Sequence, residues 1–140
     1  ETNADGGQWV LFLLAIVWCG DTGGYFGGRF WGKTPLAPSI SPKKTREGAV
    51  AGVLMSVLGA SVLNVCLGFK FGSVLNVLLI STALSVVGQL GDLMESVAKR
   101  YGRIKDSGFL IPGHGGVLDR VDSILAATPL LWLYFRFVNV

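Results

Sequence analysis

The sequences GAVAGVLMSVLGASVLNVCLGF, residues 48–69, and FGSVLNVLLISTALSVVGQLG, residues 71–91, decide the fold. Neither run contains a charged residue, and only Lys70 separates them. A helix rises 1.5 Å per residue, so about 20 apolar residues cross a hydrocarbon core of roughly 30 Å. We therefore predict two adjacent transmembrane helices joined by a short external hairpin around Lys70. Buried helices of a soluble protein are the alternative, which two neighbouring runs of this length disfavour.

Two weaker apolar segments flank this pair. Residues 6–20 are uncharged up to Asp21, and residues 123–135 are uncharged up to Arg136. Both are shorter than a usual span, so we predict membrane helices completed by snorkelling side chains or by bundle packing. The predicted fold class is all-α: a polytopic integral membrane helical bundle with about four transmembrane helices and two polar loops, in one domain covering residues 1–140.

Composition and charge agree with this topology. The chain is 51% hydrophobic and 15% charged, whereas soluble domains are about 25% charged. Ten of the 12 Lys and Arg residues lie in residues 21–47 and 96–120. Two predicted spans separate these loops, so both emerge on one side, and the positive-inside rule makes that side cytoplasmic. We expect a protein of the bacterial inner membrane. The sequence contains no aromatic-rich basic stripe, so no nucleic-acid partner is expected.

The end of the third apolar segment carries the first candidate site. If the helix continues past residue 91, Asp92, Glu95, Ser96 and Lys99 recur at i, i+3, i+4 and i+7 and share one face. Asp92 directly follows the apolar run, where an unpaired carboxylate is costly, so we expect a metal or a lysine beside it. A solvated helix end with i,i+4 ion pairs is the alternative.

The segment GHGGVLDRVD, residues 113–122, contains the second candidate site. Its glycines allow backbone amides to approach an anion, and Asp119 and Asp122 face the same way on a helix. Carboxylate oxygens suit Mg²⁺, so Asp92 and Asp119, with Asp122, form a candidate metal site. Arg120 pairs with an aspartate or a phosphate, and His114 is either a turn residue or a phosphate ligand. For Asp119, a helix N-cap or a surface ion pair is the alternative.

The predicted loop of residues 21–48 is the third candidate site. Its Gly, Ser, Thr, Lys and Arg residues are typical of a loop that binds phosphate. Binding of anionic lipid head groups is the alternative.

These motifs resemble a known family. SxxKRxxxxKDxGxxIPGHGGxxDRxD, residues 96–122, is similar to the motif of phosphatidate cytidylyltransferases, as are DTGGY, residues 21–25, and SPKKTREG, residues 41–48. Members of that family are longer, and this sequence begins at Glu1 rather than Met. The resemblance therefore implies a C-terminal catalytic half, with further transmembrane helices upstream.

The resemblance implies that CTP and phosphatidate give CDP-diacylglycerol and pyrophosphate, with Mg²⁺ and room for a second cation. It also implies contact with membrane lipid. We further expect a homodimer. The implied catalytic residues are Asp92, Lys99, Asp119 and Asp122, with Asp92, Asp119 and Asp122 as metal ligands. The implied substrate-binding residues are Asp21, Lys43, Lys44, Arg46, Ser96, Arg100, Lys105, His114 and Arg120. Three rivals stay open: a CTP-dependent lipid kinase, a membrane cation transporter that uses Asp92, and a non-catalytic lipid-binding scaffold.

Overall fold

Four long helices make up most of the chain. The computed structural model describes residues 6–66, 68, 71, 73–102 and 118–138, with α4 side chains described from 121 to 137. The element order is α1 (Gly6–Trp31), β1 (Pro35–Ala37), β2 (Ser41–Thr45), α2 (Arg46–Cys66), α3 (Val74–Tyr101) and α4 (Leu118–Val138). Three of these helices, α1, α2 and α3, are long and apolar enough to cross a membrane. The predicted all-α membrane bundle is confirmed. A membrane-spanning role for α4 stays a prediction, and the external hairpin lies largely outside the described residues.

The first helix is longer than its apolar segment. We predicted a loop from Asp21 onward, and this boundary is wrong, because α1 continues without a break to Trp31. Glycine lowers helix propensity by about 1 kcal/mol per residue, and five glycines between residues 20 and 28 suggested a loop. Packing against α2 overrides this local cost.

Glycines let α1 and α2 approach closely. A Cβ added at Gly23 would lie 2.5 Å from the Cβ of Met55 and 2.8 Å from the carbonyl oxygen of Ala51. A Cβ added at Gly27 would collide with the Cβ of Ala51. Small residues at such contacts are typical of membrane helices, whose association depends on close packing of the backbones. This seam keeps the second half of α1 helical.

Two buried serines connect the first three helices. Ser56 on α2 donates to the carbonyl oxygen of Ile16 on α1 at 2.7 Å, and Ser85 on α3 donates to the Oγ of Ser56 at 2.9 Å. Further along, the Nε2 of Gln89 on α3 donates to the carbonyl oxygen of Ala49 on α2 at 3.1 Å. Residue numbers rise on α3 as they fall on α2, so these helices are antiparallel. Helices α1 and α2 are also antiparallel, because Gly20 lies beside Ser56 and Gly27 lies beside Ala51. Helices α1 and α3 are therefore parallel.

Ser56→Ala should lower the stability of the bundle. The change removes a donor to Ile16 and leaves the Ser85 hydroxyl without its acceptor. Interhelical hydrogen bonds in membrane proteins average about 0.6 kcal/mol and reach about 1.7 kcal/mol, so we expect a loss of about 1 kcal/mol in thermal unfolding in detergent. Ser61→Ala is the control, because Ser61 donates only to Val57 of its own helix. Equal losses in the two variants would contradict the interhelical role.

A small antiparallel hairpin lies between α1 and α2, which the sequence did not predict. Pro35 pairs with Thr45, and Ala37 pairs with Ser41. The Glu47 carboxylate in the first turn of α2 accepts hydrogen bonds from the backbone N–H groups of Lys33 and Thr34 at 3.2–3.3 Å. These bonds fix the segment that leaves α1 against the start of α2.

Aromatic side chains fill the opposite end of the bundle. Trp9 contacts Phe12, Phe71 and Tyr134, with ring centroids 4.8–5.8 Å apart. Trp9, Phe12 and Phe71 are buried. This end is closed by apolar packing. Large apolar side chains are also exposed along the outer faces of the helices, as expected for surfaces that face lipid.

Candidate functional site

A cavity of about 550 Å³ lies between the second half of α1, the hairpin, the start of α2 and residues 89–93 of α3. Its charged residues come from three elements: Asp21 and Arg29 on α1, Lys43 and Lys44 on β2, and Asp92 on α3. The structure thus brings together residues that are 71 positions apart in sequence, between Asp21 and Asp92. Four of these five were predicted as site residues, and Arg29 was not.

An ion pair joins the hairpin to α3. The Nζ of Lys44 lies 2.5 Å from the Oδ2 of Asp92, and both side chains are about one-third exposed. The expected lysine partner of Asp92 is therefore present. Nearby, the Nε of Arg100 donates to the carbonyl oxygen of Ile40 in the hairpin turn at 3.1 Å. Through these two contacts, α3 holds the hairpin over the cavity.

Three carboxylates influence one another in this region. Asp21 is repelled by the charges of Asp92 and Asp122 and attracted by that of Lys44. The beginning of α4 packs on α3 at Gly91, where an added Cβ would lie 3.3 Å from the carbonyl oxygen of Asp122. Among the described groups that act on Asp21, one lysine and two further carboxylates lie close enough to influence it, an arrangement that a bound cation would stabilise.

The predicted metal site stays a prediction. Among side chains that the structure describes, no group of three His, Cys, Asp or Glu residues is close enough to hold one metal ion. Asp119 lies in the first turn of α4, three residues before Asp122, and its side chain is outside the described set. The meeting of Asp92 with Asp119 stays a prediction. Asp92 and Asp122 carry the carboxylate oxygens that Mg²⁺ prefers, and any third protein ligand would have to come from a side chain outside the described set.

The predicted continuation of α3 past residue 91 is confirmed, because α3 ends at Tyr101. On its outer turns, Lys99 forms an ion pair with Glu95 at 3.3 Å. Ser96 donates to the backbone oxygen of Asp92 at 2.9 Å. Helical spacing therefore places the polar face as expected, and two of its side chains form an i,i+4 ion pair.

The remaining predicted residues are distributed as follows. The backbone N–H of Arg46, at the start of α2, donates to Thr34, and Arg46 does not line the cavity. Arg120 lies in the first turn of α4 without a described side chain, and Lys105 and His114 lie outside the described residues. Their predicted roles stay predictions.

Sequence reasoning did not predict five polar residues of the cavity wall as site residues: Tyr25, Arg29, Ser41, Thr45 and Gln89. The Nη1 of Arg29 donates to the hydroxyl oxygen of Tyr25 at 3.0 Å. Asp21, Tyr25 and Arg29 are spaced four residues apart, which places them on one face of a helix. That signal was hidden because this segment was interpreted as a loop.

Comparison with known proteins bears on this site. The model of the cytidylyltransferase family matches residues 1–138. A phosphatidate cytidylyltransferase from Staphylococcus saprophyticus is 47% identical over 131 residues, which cover 94% of this chain and 50% of that protein. One from Haemophilus influenzae is 40% identical over 134 residues, covering 92% and 46%. The chain spans about half the length of these curated relatives. With nearly all of its residues matched by the family model, the chain belongs to the cytidylyltransferase family.

Proposed function

We propose that this chain forms the catalytic part of a phosphatidate cytidylyltransferase, which makes CDP-diacylglycerol and pyrophosphate from CTP and phosphatidate. The observation that carries the proposal is the cavity, in which three cations and two carboxylates meet at one end of apolar helices. Such a site suits one substrate that is a soluble polyanion and another whose acyl chains remain in lipid. The names of the family and of its relatives supply the reaction class.

The chemistry asks for positioning and charge neutralisation. A phosphate oxygen of phosphatidate attacks the α-phosphorus of CTP, the bond from this phosphorus to the bridging oxygen breaks, and pyrophosphate leaves with the electron pair. A phosphomonoester is largely ionised at pH 7, with a second pKa of about 6, so no strong base is required. Lysine and arginine side chains hold the two polyanions together and stabilise the developing charge.

The metal site is part of the proposal. Asp92, Asp119 and Asp122 would hold Mg²⁺, with room for a second cation, and the ion would neutralise phosphate charge and favour departure of the leaving group. Lys43 and Lys44 reach the cavity from β2. Lys99, Arg100, Lys105, His114 and Arg120 are proposed to contact phosphate groups around it.

The location is also proposed. We place the cavity on the cytoplasmic side of a bacterial inner membrane, because described basic residues of the hairpin and of the last turn of α3 lie at this end. CTP would enter from water and phosphatidate from the surrounding lipid. A homodimer stays an expectation.

Product analysis tests the proposal. The full-length protein in detergent micelles is incubated with CTP labelled at the α-phosphate, phosphatidate and Mg²⁺, and lipid is then extracted. We expect labelled lipid together with free pyrophosphate. Release of CDP and an unlabelled phosphorylated lipid would instead identify a kinase. A cation transporter would need charges across the whole bundle, whereas the described end around Trp9 is filled by aromatic rings.

A further inference from the structure

Two sets of charged residues line the cavity, and each set defines one part of it. Near one part, Asp21, Asp92 and Lys44 interact. The other part contains Arg29 and Lys43, which form no ion pair with any carboxylate that the structure describes. Two cations without counter-charges on the wall of one cavity favour binding of an anion.

Geometry separates the two parts along α1. Arg29 follows Asp21 by eight residues, which corresponds to about 12 Å along the helix axis. Asp21 lies at the end of the apolar stretch, whereas Arg29 lies in the last turn of α1. A ligand group at Arg29 is therefore farther from the uncharged segment of α1, residues 6–20, than a ligand group at Asp21. A soluble anion fits this position better than a phosphate attached to acyl chains.

The hairpin places Lys43 near the same turn of α1. Thr45 of β2 packs against α1, since a Cβ added at Gly28 would lie 3.1 Å from the Oγ1 of Thr45. Lys43 lies two residues before Thr45 on β2 and lines the same cavity. The close approach that Gly28 permits thus brings β2, which carries Lys43, toward the turn of α1 that carries Arg29.

Tyr25 holds the guanidinium group. Its hydroxyl oxygen accepts the 3.0 Å hydrogen bond from the Nη1 of Arg29, one helical turn away. This bond uses one of the five N–H donors of Arg29 and orients the others. A planar guanidinium binds two phosphate oxygens at once, so a fixed orientation favours phosphate recognition.

We propose that Arg29 and Lys43 bind the two terminal phosphates of CTP, which leave as pyrophosphate, and that Tyr25 positions Arg29. The inference rests on the proposed function and adds a leaving-group subsite to it. The α-phosphate would then lie toward Asp92, and the departing product would lie at the outer end of the cavity.

Direct binding of labelled pyrophosphate to the full-length protein, measured by equilibrium dialysis, tests the subsite without requiring turnover. Arg29→Gln should weaken this binding about tenfold to a hundredfold, since it removes hydrogen bonds to a charged group. Lys43→Gln should act in the same direction. Arg136→Gln is the charge-matched control, because Arg136 lies at the aromatic end of the bundle, over the Trp132 ring, and should leave the affinity unchanged.

The role of Tyr25 has a separate readout. Tyr25→Phe alone should weaken pyrophosphate binding severalfold. In the double variant with Arg29→Gln it should have no further effect, because Tyr25 acts through Arg29. Arg29→Lys should restore part of the affinity. In turnover assays, the KM for CTP should rise in these variants while the KM for phosphatidate stays constant.

Three results would overturn the subsite. One is unchanged pyrophosphate affinity in Arg29→Gln. Another is lower thermal stability of that variant with unchanged affinity, which would assign Arg29 to the helix C-terminus, where cations are favourable. The third is a raised KM for phosphatidate alone, which would assign these cations to the lipid. The proposed function and the subsite can fail separately. If the protein binds pyrophosphate through Arg29 but transfers no cytidylyl group, the proposed function is wrong and the anion site remains.

Discussion

Asp92→Asn should reduce kcat by about a hundredfold to a thousandfold, while the protein remains folded. The substitution keeps the shape of the side chain and removes its charge. It thereby takes away a proposed Mg²⁺ ligand and the partner of Lys44. Loss of one preorganised electrostatic contact typically costs an enzyme this much in kcat. We predict the same loss for Asp119→Asn.

Two measurements separate a role in the reaction from one in folding. Thermal unfolding of Asp92→Asn should shift little, because the ion pair is about one-third exposed, and exposed pairs contribute about 0–1 kcal/mol. The Mg²⁺ concentration for half-maximal turnover should rise. Turnover close to that of the wild type at saturating Mg²⁺ would remove Asp92 from the reaction centre.

The second large effect concerns stability. Gly23→Ala should destabilise the bundle by about 1–3 kcal/mol, the usual cost of overpacking. The new methyl group would lie 2.5 Å from Met55 and 2.8 Å from the backbone oxygen of Ala51. The atoms contacted are the Cβ and Cγ of Met55 and the backbone oxygen of Ala51, none of which can move away without a shift of α2. A longer side chain, as in Gly23→Leu, should separate α1 from α2.

Gly24, the residue after Gly23, provides the matched control. A Cβ added at Gly24 meets nothing closer than the Gly48 oxygen at 3.6 Å, an ordinary contact. Gly24→Ala should therefore gain up to about 1 kcal/mol from helix propensity. The two variants should move the unfolding temperature in detergent in opposite directions. Shifts of the same sign would contradict close packing at Gly23.

Periodicity and charge predicted much of the fold. Uncharged runs identified α2 and the first part of α3, and the spacing of polar residues correctly carried α3 past Asp92. The end of α1 could not be predicted in this way. Its glycines have low helix propensity, and the contacts with Met55 and Ala51 that compensate are remote in sequence.

The site was predictable where one side chain implied another. A carboxylate beside an apolar run needs a positive partner, so a partner for Asp92 was expected, but the choice of Lys44 depends on the position of the hairpin. That hairpin consists of strands of three and five residues that contain two prolines, and it lacks the alternation that predicts strands. Arg29 and Tyr25 were missed because their pairing requires a helix at that position.

The buried serine pair has a consequence for the carboxylates. Ser56 contacts Ile16 on α1 and Ser85 on α3, so it holds these two parallel helices at a common level. Asp21 lies five residues beyond Ile16, about 7.5 Å along the axis, and Asp92 lies seven beyond Ser85, about 10.5 Å. The two carboxylates therefore arrive at depths that differ by about 3 Å. Sliding either helix by one turn, about 5.4 Å, would break a serine bond and move one acid out of reach of the other, so two hydroxyl groups inside the apolar bundle set the vertical alignment of the charges at its surface.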